Sequence, residues 1–134
     1  MKRKMYILIG IFALAILGIF YLWNAKSYEV TLVDSEEFEN LMNTEDVFVI
    51  NVHTPYMGEI EGTDLVAENW RDMSSYSDKL PEDKNAKILV YCRSGGMSWN
   101  ASRQLAKMGY RNVYDLKGGM REWVASGKSL VFKK

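Results

Sequence analysis

One cysteine in 134 residues leaves no partner for an intramolecular disulfide, so Cys92 must meet any other sulfur from outside the chain. Histidine is equally sparse, with His53 alone. One Cys and one His, with carboxylates scattered along the chain, do not supply the three or four ligands of a usual zinc site, so no metal is expected. A Gly-x-Gly-x-x-Gly fingerprint is missing, which excludes a dinucleotide site of that kind, and no cofactor is implied. Internal repeats, heptads and low-complexity tracts are absent as well, so neither a solenoid nor a coiled coil is expected.

Charge is missing from one place in particular. Tyr6 to Trp23 is an 18-residue run without a single charged side chain, preceded by Lys2, Arg3 and Lys4. At 1.5 Å per residue a helix of this length spans about 27 Å, close to the hydrocarbon thickness of a bilayer. Membrane attachment through residues 6–23 is therefore expected. Signal cleavage after Ala25 would put Trp23 at a position that prefers small residues, so a retained anchor is favoured over an exported, cleaved form. No Cys follows the run, which removes the lipoprotein alternative. Only Lys26 follows closely, answered by Glu29 and Asp34, so the amino terminus is expected in the cytoplasm and the remainder outside it. Tyr21, Trp23 and Tyr28 would stand at the outer interface. The expected division is an anchor over residues 1–26 and one domain over residues 27–134.

Ser27 to Lys134 carries 13 basic and 17 acidic residues, a net charge of −4. A mildly acidic domain with no basic stripe attracts phosphate backbones poorly, so nucleic acid is not an expected partner. Its 108 residues suffice for one hydrophobic core. Glu29–Val33 reads as a strand, and Asp34 followed by Glu37 has the spacing of a capping box, with Phe38, Leu41 and Met42 on the core face of the helix it opens. Val47–Val52 is a nearly continuous apolar run, as an interior parallel strand requires. Residues 53–70 show no lasting period and read as a loop, a short helix is expected near Tyr76–Leu80, and Ile88–Tyr91 forms the next strand. A helix from about Ser98 to Met108 follows, then a strand at Val113–Leu116 and a last helix carrying Met120, Trp123 and Val124. Strands alternating with helices predict an α/β fold, a small parallel sheet flanked by helices and preceded by one transmembrane helix.

Between the third of these strands and its helix lies Cys92-Arg93-Ser94-Gly95-Gly96-Met97-Ser98. Consecutive N–H groups in such a turn, together with the unpaired donors of the helix's first turn, form a cup for negative charge. Gly95 and Gly96 permit the curl because they lack a Cβ. The same donors favour a thiolate at Cys92. Arg93 adds a positive charge beside it, and Ser98 is expected to cap the helix, with the reactive pocket as its second possible client. A buried structural thiol is the ordinary fate of a lone Cys, but the carboxyl end of a strand before a helix amino terminus is where open α/β folds place ligands. Packing is the expected role of Trp99 and Trp123, and only Trp99 is near enough to Cys92 in sequence to suggest more.

The run Val90-Tyr91-Cys92-Arg93-Ser94-Gly95, with Ser98, Leu105, Gly109-Tyr110, Asn112-Val113-Tyr114, Leu116, Gly118-Gly119-Met120 and Trp123, resembles the carboxyl half of a single rhodanese domain. The resemblance implies a sulfurtransferase in which Cys92 attacks a sulfane sulfur, holds it as a persulfide and passes it to a thiol or to cyanide. Arg93, Ser94, Gly95, Gly96, Met97 and Ser98 would then bind the substrate, a small sulfur-containing anion or a persulfide, and the acceptor would be a thiol or a protein. The Cys92–Met97 loop has the six-residue length associated with sulfur transfer. A phosphatase loop is one residue longer and ends in Arg, and here Ser98 stands in that place, without the guanidinium that grips equatorial oxygens.

Upstream the resemblance thins. Asn51 and His53 stand where the family carries an Asp and an Arg, so that ion pair is lost, and both are expected to serve packing or local hydrogen bonding, with a base near the thiol as the lesser alternative for His53. Glu59 and Glu61 replace the His and Pro of a Gly-His-Ile-Pro-Gly run at Gly58–Gly62. Met97 replaces a frequent Arg, which leaves Arg93 and the backbone cup to hold an anionic donor and points to an apolar or persulfidic one. Three readings of Cys92 stay open: a turnover enzyme, a carrier that receives sulfane sulfur from a partner, and an exposed thiol that senses oxidants.

Overall fold

The computed structural model describes residues 1–24 and 29–134. Lys26, Tyr28 and the expected boundary between residues 26 and 27 lie outside them. Helix α1 runs over Lys2–Asn24, and its segment Lys2–Trp23 is long and apolar enough to cross a membrane and is not buried against the rest of the protein.

Five strands form one parallel sheet: β1 (Val30–Val33), β2 (Val47–Asn51), β3 (Leu65–Val66), β4 (Lys87–Tyr91) and β5 (Asn112–Leu116), in the spatial order β1-β5-β4-β2-β3. Helices α2 (Ser35–Met42), α3 (Gly96–Lys107) and α4 (Gly119–Ala125) join and cover it. The expected parallel α/β architecture is thus present, with one strand more than the periodicity indicated. β3 is two residues long, too short to leave a pattern inside the aperiodic stretch 53–70. Asp64 secures it beside β2 by accepting from Val49 N at 2.8 Å through its carboxylate and donating its own N–H to Val49 O at 2.9 Å. The helical turn expected at Tyr76–Leu80 lies earlier, as a 3-10 turn over Met73–Tyr76. Gln104 of α3 draws the chain in at this point by accepting from Met73 N and donating to Trp70 O, both at 2.9 Å.

Alternation along each strand sends side chains to two cores. On the α3 face, Ile50, Val52, Ile88, Val90, Ala101, Leu105 and Val113 pack together. On the other face, Val33, Val49, Leu89, Tyr91 and Leu116 meet Phe38 of α2 and Met120 and Trp123 of α4. Both faces of β2 and β4 are covered, which explains their unbroken apolar runs. Phe38 stands edge-on to Tyr91 and Trp123, at centroid distances of 6.1 and 6.3 Å, and its full burial stabilises the fold by roughly 1.5–3 kcal/mol. Asp34 caps α2 as its spacing indicated, its carboxylate accepting from Glu37 N at 2.8 Å.

Candidate active site

Tyr91 ends β4 on the α2/α4 face, so Cys92 turns to the α3 face at the carboxyl edge of the sheet. The irregular link to α3 is only Cys92 to Gly95. Helix α3 begins two residues earlier than expected, at Gly96, because Gly95 takes a φ of 115° that ends the strand direction abruptly. Ser98 therefore does not cap the helix. It lies inside the first turn, fully buried, and the cap position belongs to Gly95, which has no side chain to offer. The first-turn N–H groups of α3, next to the Cys92 turn, are left without a side-chain cap.

Three contacts define the thiol. Gly95 N–H donates to Cys92 Sγ at 3.0 Å, the Cys92 thiol donates to Ser98 Oγ at 3.4 Å, and Ser98 Oγ donates to Gly95 O at 3.2 Å. The loop is also held from outside by α4, whose first N–H groups bind its carbonyls: Met120 N to Cys92 O at 2.8 Å and Arg121 N to Arg93 O at 3.0 Å. That approach is close enough to require glycine at 119, where a Cβ would lie 2.4 Å from Cys92 O.

Cys92 is 1% exposed, at the floor of a cavity of about 400 Å³ lined by His53, Trp70, Cys92, Arg93, Ser94, Gly96 and Met97. The third reading, an exposed thiol that senses oxidants, is thus corrected in its exposure: the Cys92 side chain is packed, with the cavity beside it. Of the residues singled out in sequence, Arg93, Ser94, Gly96 and Met97 line the cavity, Gly95 bonds the sulfur through its backbone, and Ser98 stands behind it. Trp99 is not among them. It is 41% exposed and lines a separate depression with Arg103 and Lys107.

Two wall residues come from the far side of the sheet. His53, beyond the end of β2, is brought beside the loop because β2 and β4 are parallel neighbours, with Val52 N bonded to Tyr91 O at 2.9 Å. Its pKa is lowered from 6.5, first by burial and then by the Arg93 charge, so it is neutral at pH 7. Its Nε2 lies 3.2 Å from Met57 Sδ. Trp70 supplies the other wall; its indole N–H is buried without a partner, and Arg71 stacks over its ring at 4.2 Å. Nothing in the sequence marked Trp70, since residues 53–70 show no period and the crossover that brings it back is a tertiary property. Asn51 takes the local role expected of it, its side chain donating to Gly58 O at 3.1 Å and accepting from His53 N at 2.9 Å. Glu59 is remote from the thiol in its bonding; it accepts from Tyr56 at 2.6 Å and bridges to Val131 of the carboxyl tail.

A further buried polar residue belongs to no motif in the sequence. Asp115, in the middle of β5, is 1% exposed, and burial pushes its carboxyl up to about 7, with Ser98 the hydrogen-bonding group that opposes the rise. Among the described residues no group of three or more His, Cys, Asp and Glu side chains is arranged to hold a metal ion.

Comparison with known proteins agrees with this geometry. The rhodanese-like domain family matches residues 34–126. The chain belongs to that family. A protein of Allochromatium vinosum named sulfurtransferase is 31% identical over 106 residues, covering 76% of this chain and 95% of the relative. A tRNA uridine(34) hydroxylase of Cytophaga hutchinsonii is 29% identical over 92 residues, 66% of this chain, but this chain spans only 30% of that protein's length. Among solved structures, a rhodanese-related protein of Thermoplasma volcanium superposes with a TM-score of 0.61 at 21% identity, covering 75% of this chain and 97% of that one. The rhodanese-like fold and sulfurtransferase family follow from these matches.

Proposed function

We propose that this rhodanese-like protein is a membrane-tethered sulfurtransferase that works through a persulfide on Cys92. The observation that carries the reading is the Cys92 sulfur at the floor of an accessible cavity, at the amino end of α3, with the Gly95 N–H aimed at it from 3.0 Å. In the first half-reaction the Cys92 thiolate attacks the outer sulfur of a donor such as thiosulfate or an organic persulfide. The Sγ–S bond forms, the donor's S–S bond breaks, and sulfite or a thiolate leaves with the electron pair. In the second, cyanide or an acceptor thiolate attacks the outer sulfur and the Cys92 thiolate departs. The Gly95 N–H and the uncapped first turn of α3 stabilise the negative charge on sulfur at both stages, and Arg93 at the cavity wall pairs with an anionic donor. Ser94, Gly96 and Met97 shape the space the transferred sulfur occupies.

Met97 and Trp70 give the cavity apolar walls, and this favours a second reading, in which a partner protein loads and unloads Cys92 and the chain serves as a carrier. Residues 1–26, with their basic cluster before α1, would hold the domain of residues 27–134 at the outer face of a membrane. The test uses the full chain in detergent. Wild type exposed to thiosulfate should gain the mass of one sulfur at Cys92 and form thiocyanate from cyanide. Cys92→Ser should fold and do neither, because Ser keeps the volume and loses the nucleophile. Thiocyanate formation by Cys92→Ser would refute the reading, and stable loading of wild type without turnover would select the carrier.

A further inference from the structure

The cysteine of a buried site has to lose a proton before it can attack, and the surroundings of Cys92 contain one group placed to take it. Alternation along β5 puts Asp115 on the same face as Val113, toward α3, where Ser98 and Ser102 are also fully buried. Asp115 Oδ1 has no hydrogen-bond partner although it is shielded from water, and Ser102 Oγ is similarly bare. Buried polar atoms in native folds are nearly always paired, and an unpaired carboxylate oxygen is among the costlier exceptions. Ser98 stands next to both groups: its oxygen accepts from the Cys92 thiol at 3.4 Å, its proton points to Gly95 O at 3.2 Å, and its hydroxyl is the one polar group that opposes the rise of the Asp115 carboxyl.

We infer that Asp115 is a positioning residue that takes up the proton of Cys92 through Ser98 and so holds the sulfur ready as a thiolate. The inference rests on the reading of Cys92 as the nucleophile. The Ser98 O–H turns from Gly95 O to the Asp115 carboxylate and delivers its proton there, while the Cys92 S–H bond breaks and that proton passes to Ser98 Oγ. No oxidant or reductant is involved, and the buried cluster carries one negative charge before and after, so the transfer moves charge without adding any to the interior. The new thiolate lies against the Gly95 N–H, and the newly protonated carboxyl no longer needs a donor.

The groups facing Asp115 are few. On β4 its register partner is Val90, followed by Cys92; on β1 it is Leu32, and that strand has no titratable residue. From α3 the buried residues are Ser98, Ala101, Ser102, Leu105 and Ala106, none of them charged, while Arg103 and Lys107 lie exposed. Arg93 and His53 stand at the cavity walls by Cys92. Burial, with no charged neighbour, is what raises Asp115 to about 7, so the carboxyl can hold a proton near neutrality.

Alkylation of the full chain by iodoacetamide, followed by intact mass across pH 5–9, reads the thiolate without any sulfur donor. Failure here is therefore separable from failure of sulfur transfer. In wild type the rate should rise through an inflection near 7, where the cluster loses the first of its two protons and the one that remains passes from Cys92 to Asp115. Asp115→Asn, close in shape, should lose that inflection and react at pH 7 slower by on the order of a hundredfold, the lower range for a positioned proton acceptor. Ser98→Ala keeps the carboxyl and cuts the link, so it should show the same loss, and the double variant should be no slower than either single one. His53→Gln should retain the inflection. A purely structural Asp115 would shift the thermal midpoint and leave the pH profile in place. Persistence of the inflection in Asp115→Asn, or in Ser98→Ala should the first variant not fold, overturns the inference, as does its disappearance in His53→Gln.

Discussion

Replacing Gly119 with alanine isolates the contact by which α4 holds the Cys92 loop. Gly119 has a φ of +59°, and a Cβ there would meet Cys92 O at 2.4 Å, Arg93 C at 2.6 Å and Arg93 O at 2.7 Å. These are backbone atoms, so no rotamer change relieves the overlap and α4 has to move away from the loop. Left-handed backbone costs an L-residue roughly 1–2 kcal/mol, and stretching the bonds from Met120 N to Cys92 O and from Arg121 N to Arg93 O forfeits about 1 kcal/mol each. The expected loss is about 3–4 kcal/mol, which for a domain of this size lowers Tm by roughly 15 °C. Gly118→Ala is the internal control. Its φ is +75°, but the added Cβ meets only the Glu122 side chain, whose Cγ at 2.0 Å can swing into solvent and whose Cβ at 2.9 Å needs a shift of a few tenths of an ångström. About 1–2 kcal/mol should be lost there. Thermal unfolding and Cys92 alkylation, run on both variants, give the comparison. Equal midpoints for the two alanines, with alkylation unchanged in Gly119→Ala, would refute the claim that α4 positions the loop.

The cavity walls and the buried carboxyl yield two more expectations. Met97→Arg places a second guanidinium in the Cys92 cavity and should raise kcat/KM for thiosulfate, on the order of tenfold to a hundredfold for one charge-assisted contact; an unchanged midpoint with no gain would show that donor charge is not what Met97 limits. Asp115 should make stability fall as pH rises. Its carboxyl is raised from 3.8 to about 7 in the fold, so the ionised form is the costly one: no cost exists below pH 3.8, the cost accumulates between 3.8 and 7, and it is complete above 7. Relative to Asp115→Asn, wild type should lose up to ~4 kcal/mol over that window, and parallel stability curves for the two proteins in denaturant titrations would contradict it.

Local pattern carried much of the fold. The apolar runs at Val47–Val52 and Ile88–Tyr91 announced strands covered on both faces, and Asp34 with Glu37 announced the start of α2, because these depend on neighbours in sequence. What failed depended on backbone choices that composition does not reveal. Ser98 looks like a cap since hydroxyls usually fill that place, but Gly95, three residues earlier, can enter positive φ and takes it, which carries Ser98 inward to the sulfur. β3 is too brief for any period to show.

The site was legible only on the strand that carries its nucleophile. Cys92, Arg93, Ser94, Gly96 and Met97 are contiguous, so a motif finds them; His53 and Trp70 arrive through parallel crossovers and share no spacing with Cys92. Asp115 is the instructive case, for a signal did exist. Val113–Leu116 reads as a strand, and strict alternation from the core residue Val113 sends residue 115 inward to the same core. A charged residue at an inward position of a central strand has to be paired, neutralised or in use. Its burial and its bare Oδ1, with no cation beside it, remove the first option. Neutralisation and use then become one event if the neutralising proton comes from Cys92: the carboxyl that the fold cannot comfortably keep charged is the group that makes the thiol reactive.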